Sequence, residues 1–161
     1  MIARRRPGFL AARRSKMSLT PEQLDNWFTY HAPTEETAPK YAAIREAECN
    51  AADLCAWLDV CIDDRLAPGS TFHDRVNATG RDFTVAIDGH APDSADKSAA
   101  IRCVRIACNA LNEAGAAMIA YSEGRAPRPS TEWLARLNGI ARDQLVFARW
   151  QATRAIACGG K

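Results

Sequence analysis

What this 161-residue chain lacks narrows its function more than what it has in abundance. No apolar run approaches the roughly 20 residues that span a bilayer, so no transmembrane helix is expected. The apolar stretch after Arg6 is too short for a secretory signal, which makes a disulfide framework improbable. No Cys-x-x-Cys occurs among the six cysteines, and the nearest pairs, Cys55/Cys61 and Cys103/Cys108, are spaced more widely than structural zinc prefers. His31, His73 and His90 stand alone on turn-like segments. No metal or other cofactor is therefore expected, and the cysteines read as reduced, buried, small hydrophobes. No internal repeat, low-complexity tract or strong catalytic motif is present.

What is there suits one soluble domain, alone or with an appendage: 47% of residues are hydrophobic and 25% charged. The net charge of +2 hides an asymmetry. Residues 1–16 carry six basic side chains and no acidic one, leaving 15 basic against 19 acidic residues, a balance of −4, in the remainder. The basic arm, residues 1–17, is expected to be disordered, with Met17 as an alternative start; contact with nucleic acid is the competing reading. The acidic remainder and the lack of a recognition motif argue against a nucleic-acid binder.

Helix signals organise the rest. Thr20 followed by Pro21 starts a short helix over roughly 21–28 that carries Leu24, Trp27 and Phe28. Thr34 or Thr37 caps a long helix over roughly 35–64. Pro39 is harmless if Thr37 caps it and bends the helix if Thr34 does. Tyr41, Ile44, Ala51, Cys55, Leu58 and Ile62 then fall on one face. Residues 66–90 read as an insertion, with turn signals at 68–70 and 78–80 and a short strand over 83–87. Asp93 or Ser94 opens a second long helix, on which Ile101, Val104, Cys108, Leu111, Gly115 and Met118 recur at alternating steps of three and four, a heptad-like seam. Gly124 can close it. After a proline-stiffened linker, a third helix over roughly 131–157 presents Leu134, Leu137, Ala141, Leu145, Ala148, Ala152 and Ile156, and Gly159-Gly160 ends it. The expected fold is mainly α: an antiparallel helical hairpin with a short N-terminal helix and an added C-terminal helix. Two long helices alone cannot cover both apolar seams, so the leftover surface predicts a homo-oligomer.

Two segments carry a family likeness. One is Phe28-Thr29-Tyr30-His31-Ala32-Pro33-Thr34 running into Lys40-Tyr41-Ala42-Ala43-Ile44-Arg45-Glu46. The other is Pro92-Asp93-Ser94-Ala95-Asp96-Lys97-Ser98, followed by Ala107 and Asn112. In this order they resemble the helical hairpin domain of the phage sponge proteins that disarm CBASS and Thoeris immunity. The likeness covers roughly 27–55 and 91–120. The chain departs from the family pattern in the insertion of about 25 residues between the helices, in Ala95 where the family tends to have arginine, and in residues 125–161, which lie outside the likeness. The domain it implies runs over 18–124, followed by the linker and C-terminal helix at 125–161.

The resemblance implies a non-enzymatic protein that holds cyclic di- or trinucleotides, or cyclic ADP-ribose isomers, at the subunit interfaces of a helical homo-oligomer, often a hexamer. Its setting would be the cytoplasm of an infected bacterium. A cyclic nucleotide offers flat bases and paired phosphates, so capture calls for aromatic faces and fixed cations. Tyr30 can stack on a base or pack against Trp27. Arg45 can fork a phosphate or a guanine edge, or pair with Glu46 or Glu48. Ser94 and Lys97 offer an anion site at a helix start, or an ordinary cap. Arg102 and Arg105 lie off the seam, as phosphate ligands or solvated residues. Ile101, Val104, Cys108, Leu111, Asn112 and Gly115 are the expected oligomer interface. The rival readings are an enzyme with a metal or acid-base cluster drawn from Asp59, Asp63, Asp64, His73, Asp74 and Asp88, of which Asp59 and Asp63 lie four apart on one helix face, and a structural phage adaptor that binds no small ligand.

Overall fold

The computed structural model describes Thr20, Glu22, Gln23 and residues 33–159. The expectations for the basic arm, for Tyr30 and for most of the short helix over 21–28 lie outside these residues. Thr20 does meet Gln23 as a cap should: the Thr20 N–H donates to Gln23 Oε1 at 2.9 Å, and the Gln23 N–H donates to Thr20 Oγ1 at 3.1 Å.

Four helices make up the described structure: α1 (Ala38–Asp64), α2 (Phe72–His90), α3 (Ala95–Ser122) and α4 (Thr131–Cys158). Thr37 is the residue before α1, which puts Pro39 in the first turn, where its missing N–H costs nothing. Thr34 and Thr37 satisfy each other, through N–H to Oγ1 bonds of 2.8 and 3.1 Å. Ser94 caps α3 by accepting from the Lys97 N–H at 3.1 Å, and Ser130 caps α4 by accepting from the Trp133 N–H at 2.9 Å. Each such cap contributes about 1 kcal/mol. Gly124, just beyond α3, and Gly159, beyond α4, take the left-handed conformation that lets the chain leave a helix.

Residues 66–90 correct the expectation drawn from the sequence. No strand exists among the described residues, and 83–87 lie inside α2. Burial shows why. Phe72, Val76, Phe83 and Ile87 are fully buried, whereas Val85 is 68% exposed. A strand would place positions 83, 85 and 87 on one face; a helix separates 85 from the others. The turn signal at Gly80 marks instead a close approach of helices. The same holds for Gly115 on α3, where a Cβ would lie 2.6 Å from the Phe72 ring.

The helices form a ring in which each packs on its chain neighbour and α4 closes back on α1. Contacts fix the directions. His73 meets Asn112 and Val76 meets Cys108, so α2 and α3 are antiparallel. Cys103 meets Gln151 and Asp96 meets Arg154, so α3 and α4 are antiparallel. Asp59 meets Asn138 and Glu48 meets Arg149, so α4 and α1 are antiparallel. The result is an up-down-up-down four-helix bundle. The hairpin expected of the two long helices does not form. α2 comes between them in the ring, and α1 and α3 run in the same sense from opposite corners, in slight contact. The core is continuous, from Ile44, Leu58 and Cys55 on α1 through Phe72 and Phe83 on α2 to Leu111 on α3 and Ala148 on α4. Each large side chain buried in this way contributes roughly 1.5–3 kcal/mol.

The heptad-like seam of α3 is consumed inside the chain. Val104 and Leu111 are 2% and 1% exposed, and Gly115 is buried against Phe72. These three are not presented to another subunit, which corrects their assignment to an oligomer interface. Burial of the seam therefore needs no second copy, because α2 and α4 supply the cover that a two-helix count lacked.

Candidate functional site

The candidate residues expected from the sequence scatter over the bundle. Arg45 is exposed on α1, and Arg102 is exposed on α3. Ser94 and Lys97 do meet, but as a cap and a closed ion cluster. Ser94 Oγ is taken by the Lys97 N–H. Lys97 Nζ lies 3.0 Å from both Asp88 Oδ1 and Asp93 Oδ1, and it also donates to the Asp88 carbonyl at 3.3 Å. Its hydrogen bonds to Asp93 and Asp88 raise its pKa above the usual lysine range. Two carboxylates on one ammonium leave a local negative excess, so this helix start repels an anion. The anion site expected there is corrected to a structural clamp between the end of α2 and the start of α3.

Asp59 is likewise occupied. It accepts from Asn138 Nδ2 at 2.6 Å and pairs with Arg142. Asn138 is 1% exposed and also donates to the Cys55 carbonyl at 3.0 Å, so Asp59 belongs to an α1–α4 clasp rather than to a metal pair with Asp63. Among the described residues, no three His, Cys, Asp or Glu side chains gather as metal ligands. No helix among them is long and apolar enough to cross a membrane.

One of the expected residues, Arg105, does line a concave site. A groove of about 450 Å³ runs along the outer seam of α2 and α3, a volume within the range of small-molecule sites. Its register follows from the contacts below it. Gly80 lies against Cys108, and Asn77 reaches Asn112. This antiparallel pairing sets Arg81 opposite Arg105, Asn77 opposite Asn109 and Asn112, and Val85 opposite Ile101. All seven line the groove.

The groove thus has three successive tiers. The first is apolar, with Val85 and the half-buried Ile101. The second is cationic, with Arg81 and Arg105. Among the described residues neither guanidinium has a carboxylate within 4 Å, whereas Arg125, Arg142, Arg149 and Arg154 each have one. The third is a row of amides. His73 Nδ1 lies 2.8 Å from Asn112 Oδ1, and Asn112 Nδ2 donates to Asn77 Oδ1 at 3.0 Å. Four of the expected interface residues, Ile101, Val104, Cys108 and Asn112, line this groove, with Asn112 and Cys108 bonded to α2 of the same chain.

Sequence reasoning misses Arg81 and Asn77 because residues 66–90 carry turn and strand signals. The signal that could have found them is the four-residue step Asn77, Arg81, Val85, which on a helix makes one stripe. No protein-family model, no curated protein and no solved structure matches the chain.

Proposed function

We propose that this protein is a sponge: it binds a cyclic nucleotide signal in the α2–α3 groove and holds it without cleaving it. The observation that carries this reading is the facing pair Arg81 and Arg105 with no carboxylate partner among the described residues. Two guanidinium groups set across one groove repel each other, and a bridging anion removes that repulsion while accepting their forked hydrogen bonds. The neighbouring tiers suit the rest of such a ligand. Val85 and Ile101 offer apolar surface to a base face, and the amide row offers hydrogen bonds to polar edges.

The wider role follows the resemblance. A phage-encoded sponge would act in the cytoplasm of the infected host, inhibiting CBASS- or Thoeris-type defence by keeping cyclic di- or trinucleotides, or cyclic ADP-ribose isomers, from their effector. Any homo-oligomer, a hexamer included, would be built on exposed positions such as Val60, Leu66 and Ile106, since the α3 seam is already covered. These exposed apolar side chains also favour the second reading, an oligomeric phage adaptor that binds no small ligand.

Incubation of the purified protein with a panel of these cyclic nucleotides, removal of the protein by filtration and heat release of the retained fraction separates the readings. Depletion followed by intact release supports the sponge. Depletion with a new product makes the protein an enzyme. No depletion leaves the adaptor.

A further inference from the structure

The amide tier has a direction. In the arrangement His73 Nδ1···Asn112 Oδ1 (2.8 Å) and Asn112 Nδ2–H···Asn77 Oδ1 (3.0 Å), every oxygen is already an acceptor within the chain. A carboxamide oxygen cannot donate, so His73 Nδ1 carries the hydrogen of its bond to Asn112. That hydrogen fixes which way Asn112 points, and Asn112 fixes which way Asn77 points. Of the amides at the groove, Asn109 makes no side-chain hydrogen bond among the described residues and can turn either end to a ligand, whereas Asn77 has its NH₂ group uncommitted. Arg81 and Arg105 are donors as well, so the three groups converge as donors with no acceptor among them. An acceptor-only group, a phosphate or phosphodiester oxyanion, is what such a set recognises.

We propose that His73 is a positioning residue for the groove: acting through Asn112, it holds the Asn77 carboxamide with its NH₂ toward the oxyanion of a bound phosphodiester. This rests on the reading of the groove as a nucleotide site. His73 does not touch that ligand. Its ring borders a separate cleft at the base of the same seam, beside Ser70 and Ala116, while Asn77 lines the groove. The reversed chain, in which Asn112 donates to a bare Nδ1 and Asn77 donates to Asn112, would turn an oxygen toward the ligand and repel it. The hydrogen on Nδ1 selects between the two.

Two measurements test this separately from the function. In the first, ¹⁵N-edited NMR of the ligand-free protein reads the His73 tautomer directly. A hydrogen on Nδ1 is expected; a bare Nδ1 beside Asn112 overturns the proposal whatever the protein binds. In the second, cyclic di-AMP and inorganic phosphate are titrated calorimetrically into wild type, Asn77→Ala, His73→Gln and His73→Phe, each checked for an unchanged helical spectrum. Loss of one charge-assisted hydrogen bond weakens binding about tenfold. Asn77→Ala and His73→Phe are expected to show that loss for the dinucleotide. His73→Gln, whose NH₂ can replace the Nδ1 donor, is expected to stay within about threefold. Equal losses in His73→Gln and His73→Phe, or none in either, overturn the positioning role. Binding of phosphate as tight as that of the dinucleotide narrows the site to a simple anion and overturns the phosphodiester assignment. Absence of any wild-type binding defeats the nucleotide reading and the ligand-positioning role that rests on it, while the NMR result still decides the direction of the chain.

Discussion

Gly80 of α2 lies so close beneath Cys108 of α3 that a Cβ at position 80 would sit 2.5 Å from the cysteine sulfur. The sulfur is itself held, 3.8 Å from the Val76 carbonyl. Gly80→Ala sets two effects against each other. Alanine in a helix interior gains about 1 kcal/mol over glycine, whereas overpacking costs about 1–3 kcal/mol. The expected net result is destabilisation by about 0–2 kcal/mol in urea denaturation. In a Cys108→Ala background the clash is gone, so the same substitution should stabilise. That change of sign is the check on helix approach at this point.

The same pair shows how far the fold is legible in the chain. The second and third long helices follow from local chemistry and stand in the structure close to where the spacing puts them, whereas local chemistry leaves Thr34 or Thr37 and Asp93 or Ser94 open as caps and does not single out Ser130. α2 is hidden because Gly80 imitates a turn and Phe83 to Ile87 imitate a strand. Only the close packing of Cys108, distant in sequence, explains the glycine. The consequences spread from there. Without α2, the seam of Val104 and Leu111 has no cover and calls for another subunit, and Arg81 has no helix on which to face Arg105. The anion site at Ser94 and Lys97 fails for a related reason. Asp88 reaches Lys97 only because α2 ends beside the start of α3.

Lys97 should stabilise the fold in a pH-dependent way. Its side chain is 10% exposed, but the carboxylates it joins are 71% and 99% exposed and hydrate readily when left alone. Lys97→Met is therefore expected to cost only about 1 kcal/mol at neutral pH. The folded pKa lies above the ordinary lysine value of 10.5, so the contribution is complete below that pH and fades as pH rises through the folded value. The stability difference between wild type and Lys97→Met should hold constant up to about pH 10.5 and shrink as pH rises beyond it. A difference in urea midpoints that stays constant beyond that pH would show that packing of the stem, not charge, is what the substitution removes.

Cysteine reactivity should divide by position. Cys49 and Cys158 are exposed, while Cys55, Cys61 and Cys103 are buried. Burial pushes the Cys55 thiol up to about 12 and raises Cys61 and Cys108 as well. Alkylation at pH 8 followed by mass spectrometry should label Cys49 and Cys158 rapidly, the half-buried Cys108 more slowly, and Cys55, Cys61 and Cys103 only on unfolding. Because the folded thiol of Cys55 ionises later than the unfolded one, its contribution to stability is whole below about 9 and declines as pH climbs toward about 12. Rapid native labelling of Cys55 would contradict the closed core between α1 and α4.

Stability and binding should move in opposite directions at Arg81. It faces Arg105 across the groove and has no carboxylate partner among the described residues, so Arg81→Glu exchanges a like-charge pair for an opposite-charge one. Both side chains are exposed, which limits the expected gain in stability to about 0.2–1 kcal/mol, diminishing with salt. For an anionic ligand the same change removes one cation and blocks the other, and cyclic nucleotide binding should fall at least about 100-fold. Arg45→Glu and Arg102→Glu, which alter net charge equally but lie outside the groove lining, serve as controls. Their effect on binding should be smaller and should vanish at high salt, where long-range attraction is screened. A protein that is more stable and binds less tightly on Arg81→Glu would mark the arginine pair as a feature kept for its ligand. Equal losses across all three substitutions would instead assign binding to net charge and remove the α2–α3 groove from consideration.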